Sequence, residues 1–229
     1  MTVLAEAFRK FKAAERAAVA YGNDDLTPAA LQQERSRRLA AAREELRKVA
    51  PQADRQGFDE VKRKRQEAID GLAPSNADAV ALIGNEWTKV EAMLNAGHNL
   101  AQMIEKASPL RITAILDQMP TRLIMTSEEP DDALAEVTGL ALERLAALGN
   151  PAAQAAGELY KAAVHDSAWA QIIDQAATPF TDVSVTALTA LYSASPDDHD
   201  AVSDSLEFDA VVQNGVRQAD ASPAAPSAV

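Results

Sequence analysis

The sequence predicts an all-α protein, and three observations predict it. Apolar residues recur at steps of three and four through most of the chain, the spacing of a single helix face. The breaks between these runs carry helix punctuation, as in Thr27-Pro28, Ser108-Pro109 and Gly149-Asn150-Pro151. The one stretch with strand-like composition, 179–193, has no second strand to pair with and is assigned to helix.

Each element follows from its own residues. Thr2 caps a first helix whose face carries Leu4, Phe8, Phe11, Ala14 and Ala18, and Gly22-Asn23-Asp24-Asp25 stops it. Thr27 and Pro28 open a highly charged helix that Pro51 ends, with a short seam of Leu39, Ala42, Leu46 and Val49. A shorter helix carries Phe58, Val61, Ile69 and Leu72, with Gly71 as its C-terminal cap. Ser75-Asn76-Ala77-Asp78 then resembles a capping box. It precedes the strongest periodic signal in the chain. Val80, Ile83, Trp87, Val90, Leu94, Gly97, Ala101 and Ile104 alternate steps of three and four. That seam predicts one helix over 76–107, roughly 45 Å long at 1.5 Å per residue, of coiled-coil or bundle type. Gly97 on the seam would let another backbone approach closely.

Ser108-Pro109 restarts a helix that Pro120 ends, and Ser127 caps the next, with four acids in its first turn where the helix dipole favours them. Residues 151–165 and 167–177 read as two helices. Ser195-Pro196 opens a short one, and Leu206, Phe208, Val211, Val212 and Val216 form a last apolar patch. Residues 219–229 are Ala, Ser and Pro with one Asp and a final Val, a composition that cannot bury a core.

Composition bounds the rest. Of 229 residues, 47% are hydrophobic but only 4% are aromatic, and much of the apolar count is Ala. Each buried methylene is worth roughly 0.8 kcal/mol, so the core is thin and suits helices that finish their burial against a partner. The chain has no Cys, which excludes disulfides, thiolate chemistry and Cys-ligated zinc. No apolar run reaches the ~18 residues of a membrane span. Glu6, Arg9, Lys10 and Lys12 interrupt any signal-peptide core. The expectation is a soluble, intracellular protein that does not engage a membrane.

Charge is divided unevenly. Residues 1–70 carry 15 Lys+Arg against 12 Asp+Glu, while residues 71–229 carry 7 against 22. This predicts a charged helical arm over 1–73, a helical bundle over 74–193 and an acidic extension over 194–229, in an elongated arrangement. Lys62, Arg63, Lys64 and Arg65, with Arg35, Arg37 and Arg38, are the candidate contacts for a polyanion or an acidic partner. Interleaved acids such as Glu34, Glu60 and Glu67 offer the alternative of a solvated, salt-laced helix face.

Catalytic signals are weak. His165-Asp166-Ser167 holds the letters of a hydrolase triad, but adjacent helical residues do not face one another. Asp197-Asp198-His199-Asp200 lacks the glycine turn of a calcium loop. No phosphate-cradling glycine motif occurs. The sequence therefore predicts no catalytic residue, no metal and no cofactor.

The charged helix Pro28–Ala50, the Lys62–Arg65 cluster, the acidic body and the Ala/Pro tail from Ala219 together resemble helical scaffold and virion-assembly proteins of tailed bacteriophages. That resemblance implies other virion proteins as partners and a location in the virion. The reading is a non-enzymatic structural protein that forms a homo-oligomer or joins a larger assembly. Leu4, Phe8 and Phe11, with Val80, Ile83, Trp87, Val90, Leu94 and Ile104, are the candidate partner interface. The alternative is a nucleic-acid-associated regulator that uses the basic segment 35–65.

Overall fold

The structure is a computed structural model that describes residues 2–51, 55–206 and 210–222. Those residues form eleven helices and no strand, so the fold is all-α. In chain order the helices are α1 (Val3–Ala20), α2 (Pro28–Lys48), α3 (Arg55–Asp70), α4 (Ala77–Asn95), α5 (Leu100–Glu105) and α6 (Pro109–Thr126). They continue with α7 (Pro130–Ala147), α8 (Pro151–Ala177), α9 (Val185–Ala194), α10 (Pro196–Ser203) and α11 (Ala210–Ala221).

Most starts are set by the side chains that the sequence offers. Thr2, Thr27, Asn76, Ser108 and Ser195 each accept a hydrogen bond from the backbone N–H three residues on. Asn150 does the same for α8, after Gly149 turns left-handed at φ +86°. Such caps satisfy N–H groups that the helix itself leaves without partners, and each is worth about 1 kcal/mol.

Several boundaries depart from the sequence reading. The 76–107 helix is two helices. Gly97 sits at φ +84°, His98 N–H donates to Met93 O (3.0 Å) and Gly97 N–H to Leu94 O (3.0 Å). This is a Schellman stop, and Asn99 then caps α5. A Cβ on Gly97 would meet nothing within 4 Å among the described residues, so no other backbone of theirs approaches there.

Pro120 lies inside α6 rather than ending it. Its neighbours Leu116, Met119 and Leu123 all pack into cores, which carries the helix past the lost backbone bond. Ser127 does not cap α7. Its hydroxyl accepts from Glu129 N–H (3.2 Å), and the helix begins at Pro130. The two helices expected over 151–177 are one, because neither Gly nor Pro interrupts the chain at Asp166-Ser167. Gly71 follows α3 without turning left-handed. Phe208 and the tail from 223 lie outside the described residues.

The chain divides into two compact units, 1–53 with 162–229, and 54–161. In the first unit, α1, α2, α9 and α10 pack around the second part of α8, and α11 packs on α1 and α2. Its core joins Phe8, Phe11, Leu46, Trp169, Ile172 and Leu191. Phe8 and Trp169 are wholly buried and meet edge to face at 6.2 Å. A smaller cluster of Ala18, Leu39 and Ala219 lies under α11. In the second unit, Ile112, Leu142 and Leu145 centre one cluster, and Val90, Ile104, Ile115 and Met119 another.

These units cut across the segments read from charge. The front of the chain and its acidic end share one unit, because Asp198 and Asp220 of the end are partners of Thr2 and Arg43 of the front.

Candidate functional site

Helices α1 and α2 pack side by side and leave an open, mainly apolar groove of about 420 Å³. Phe11 and Leu46 form its buried floor, and Ala7, Ala14 and Ala42 leave room above them. Val3 and Val49 stand on its edges, 79% and 38% exposed. The rim is charged but self-paired, through Glu6–Lys10 (2.7 Å) and Glu45–Lys48 (2.5 Å). The Lys10 ammonium donates to Glu6 and holds its carboxyl below the ordinary range.

Two buried carboxylates fix the helices that form this groove. Asp198 on α10 is 1% exposed. Its Oδ2 accepts from Thr2 Oγ1 (2.8 Å) and Trp169 Nε1 (3.2 Å), and His165 Nε2 lies 2.9 Å away. Its Oδ1 accepts from Thr2 N–H at 3.3 Å. Burial pushes this carboxyl up, but the hydrogen bonds of His165, Thr2 and Trp169 outweigh it and hold the group below its ordinary value. Thr2 is thus both the cap of α1 and the group by which α1 is tied to α10.

Asp220 on α11 takes both guanidinium NH groups of Arg43 on α2, a two-pronged pair whose side chains are 3% and 8% exposed. Phe180 N–H also donates to Asp220 Oδ2 at 3.2 Å. Phe180 holds this position at φ +58°, a left-handed conformation that L residues adopt at a cost. Beside this pair lies a cleft of about 450 Å³, lined among others by Phe8, Lys12, Glu15, Arg43 and Phe180. Its charges are mixed, and Lys12 and Glu15 pair with each other at 2.5 Å.

The candidate interface residues have diverse surroundings. Phe8 is committed to the core of its unit and Leu4 packs against it, while Phe11 is shared between that core and the groove floor. Of the seam residues, Ile83, Val90 and Ile104 are buried, and Trp87 and Leu94 pack partly into the α4–α6 core. Val80 stays 56% exposed.

The candidate polyanion contacts are divided between the two units, and each has a partner in the chain. Arg35 donates to Tyr21 O at 2.9 Å. Arg37 and Arg38 converge on Glu34, and the Arg37 fork, helped by Arg38, pulls that carboxyl down to about 2. In the other unit, Lys62 lies 3.9 Å from Asp59, Arg63 pairs with Glu60 and Glu67, and Lys64 with Glu67 at 2.9 Å. Arg65 stacks over the Tyr160 ring at 4.8 Å.

One chain of groups has the order of a nucleophile, a base and an orienting acid. Ser203 Oγ lies 3.3 Å from His199 Nε2, and His199 Nδ1 lies 3.1 Å from Asp200 Oδ1. Asp200 is 75% exposed. The N–H groups of Asp204, Ser205 and Leu206 that follow are all taken by carbonyls of α10, so none of the three is available to a developing oxyanion. His165, from the other triad-like triplet, faces Asp198 instead of Ser167. Among the described residues no group of His, Asp and Glu is placed to hold a metal ion, and no helix is long and apolar enough to cross a membrane.

The sequence did not reveal the pairing of Asp198 with Thr2 or of Arg43 with Asp220, since the partners stand 196 and 177 residues apart. The available signal was indirect: Asp220 is a lone acid in an Ala-rich stretch. Comparison of the chain with protein-family models, with curated proteins and with solved structures finds no match.

Proposed function

We propose that this chain is a non-enzymatic assembly protein, which joins copies of itself or other proteins of a larger assembly, such as a virion, through helix–helix contacts at the α1–α2 groove. The observation that carries this reading is the groove itself. It is apolar and open, and its edges hold valines exposed to solvent. Two parallel ridges with small residues between them accept the apolar face of a third helix, the helix-in-groove mode of recognition. The exposure of Val80 on α4 adds an apolar residue in the other unit that helix–helix contact would cover. The nucleic-acid alternative has less behind it, because the arginines and lysines it needs share their helix faces with acids and present a mixed field rather than a basic stripe.

The test is the solution mass by light scattering, over protein concentration and at low and high salt, for the parent and for Val3→Glu and Val49→Glu. Both positions are exposed, so the variants keep the fold, which circular dichroism checks. The expected result is a defined oligomer that either variant weakens by about ten- to a hundredfold, the effect of placing an unpaired charge in an apolar contact. A monomer under all conditions, or an oligomer indifferent to both substitutions, refutes it.

A further inference from the structure

The cleft beside Arg43 and Asp220 differs in kind from the α1–α2 groove, with which it shares no lining residue. It joins apolar surface to charged groups, and its volume of about 450 Å³ lies within the range of small-ligand sites. Phe8, Val183 and Val216 supply apolar lining. The charges come from α1, α2, α11 and the segment between α8 and α9. Four of them answer one another, Lys12 with Glu15 and Arg43 with Asp220. Two do not. Asp182 and Arg217 line the same cleft, and neither makes an ion pair or a side-chain hydrogen bond among the described residues.

The segment that brings Asp182 to the cleft is held under strain. Phe180 lines the cleft at φ +58°, with its N–H bound to Asp220, and is 67% exposed. For a bulky side chain this conformation is an outlier. Such outliers persist only where their surroundings impose them, and they gather at binding sites. The imposing group is Asp220, which also fills the Arg43 fork. Arg43 is itself incompletely answered: it is 7% exposed, and its Nε is buried without a hydrogen-bond partner. A strained aromatic, an unanswered donor and two unpaired charges of opposite sign converge on one partly apolar cleft.

We propose that this cleft binds a small zwitterion with an apolar side chain, a free apolar α-amino acid. Its carboxylate pairs with Arg217 and its ammonium with Asp182, while the side chain lies on the apolar lining. A simple anion would leave Asp182 unanswered beside it, and a simple cation would leave Arg217. A molecule that carries both signs answers both. The fork of an arginine matches a carboxylate in shape as well as in charge. This reading stands apart from assembly at the α1–α2 groove and does not depend on it.

The full chain is titrated by isothermal calorimetry with L-leucine and L-phenylalanine. Each is compared with its acid analogue, isocaproate or phenylpropionate, which lacks the ammonium, and with its amine analogue, isopentylamine or phenethylamine, which lacks the carboxylate. The expected result is saturable binding of an amino acid, with both of its analogues about tenfold weaker, since each forfeits one hydrogen-bonded charge pair. Arg217→Gln should weaken the amino acid about tenfold and leave the amine unchanged, while Asp182→Asn should weaken it about tenfold and leave the acid unchanged. Both side chains are exposed and unpaired, so the variants keep the fold, which circular dichroism checks. The proposal falls if neither amino acid binds, if the acid or the amine binds as tightly as the amino acid, or if either substitution leaves the amino acid's affinity unchanged. Binding that Val3→Glu abolishes and Arg217→Gln does not would put the ligand in the α1–α2 groove and overturn it as well. A chain that is monomeric by light scattering yet binds the amino acid as described removes the assembly reading and leaves this one standing.

Discussion

Replacing Gly215 with Ala tests how closely α11 is seated. The added Cβ would stand 2.2 Å from Val19 Cγ1 and 3.3 Å from both Cβ and Cγ2 of the same residue. Apolar carbons rest at about 3.5–4.0 Å, so the overlap exceeds 1 Å at the nearest atom. Val19 cannot simply turn aside. A valine on a helix is confined to one dominant rotamer, and its other methyl is already close. The helix must therefore move off α1. Overpacking of this kind costs about 1–3 kcal/mol, while alanine in a helix interior gains up to about 1 kcal/mol over glycine. With the full gain the net expectation is a loss of up to about 2 kcal/mol, or up to about 8 °C in Tm for a chain of this size. The control is Gly157→Ala on α8, where a Cβ meets nothing within 4 Å and only the gain remains. Because two units need not unfold together, the assay pairs thermal unfolding with the labelling rate of a thiol at Ser222→Cys, which reads the departure of α11 directly. Gly215→Ala should label faster and melt lower, and Gly157→Ala should melt higher. A Gly215→Ala chain as stable as the parent, with unchanged labelling, refutes the close seating of α11.

Two further outcomes follow from the buried carboxylates. The folded-state value of Asp198 is depressed, so its stabilisation is present above the ordinary carboxylate value of about 3.9 and is lost as pH falls through the lower folded value. Asp198→Asn should remove about 1.5–3 kcal/mol at neutral pH, as expected for hydrogen bonds to a charged group. It should also flatten the acid limb of an unfolding curve followed by near-UV dichroism in a Trp87→Phe background, where Trp169 is the one tryptophan. An acid limb identical to the parent's would show that Asp198 does not carry it. For Arg43 and Asp220, each single alanine variant should cost about 3–5 kcal/mol, because it leaves the other charge buried and unpaired. The double variant should cost clearly less than the sum in urea denaturation, and strict additivity would mean that the pair does not act as a unit.

What was legible in the sequence was local. Thr27-Pro28, Ser108-Pro109 and Asn150-Pro151 mark starts by chemistry confined to four residues, and all three begin helices. The all-α class follows from many such signals agreeing. Gly97 escaped because apolar spacing continues on both sides of it. Spacing reports which face is buried, whereas the stop depends on whether one residue turns left-handed. Pro120 shows the converse: a local breaker overruled by Met119 and its neighbours, whose burial is decided by other helices. The candidate interface shared this limit. Phe8 and Val80 look alike in a helical pattern, yet one lies against Trp169 and the other faces solvent. Which of them is spare depends on residues that the pattern does not name.

The first unit is interrupted in sequence: residues 1–53 are completed only by residues 162–229, and Thr2 and Arg43 find their carboxylates 196 and 177 residues later. On a ribosome that adds about 5–20 residues per second, Arg43 waits on the order of ten to thirty seconds for Asp220. For most of that interval the apolar stripe of α1 has no Trp169 to cover it, whereas the unit over 54–161 is continuous in sequence. The order of folding is thereby set against the order of synthesis. The part made first is finished last, and its greasy front is the surface a chaperone would meet.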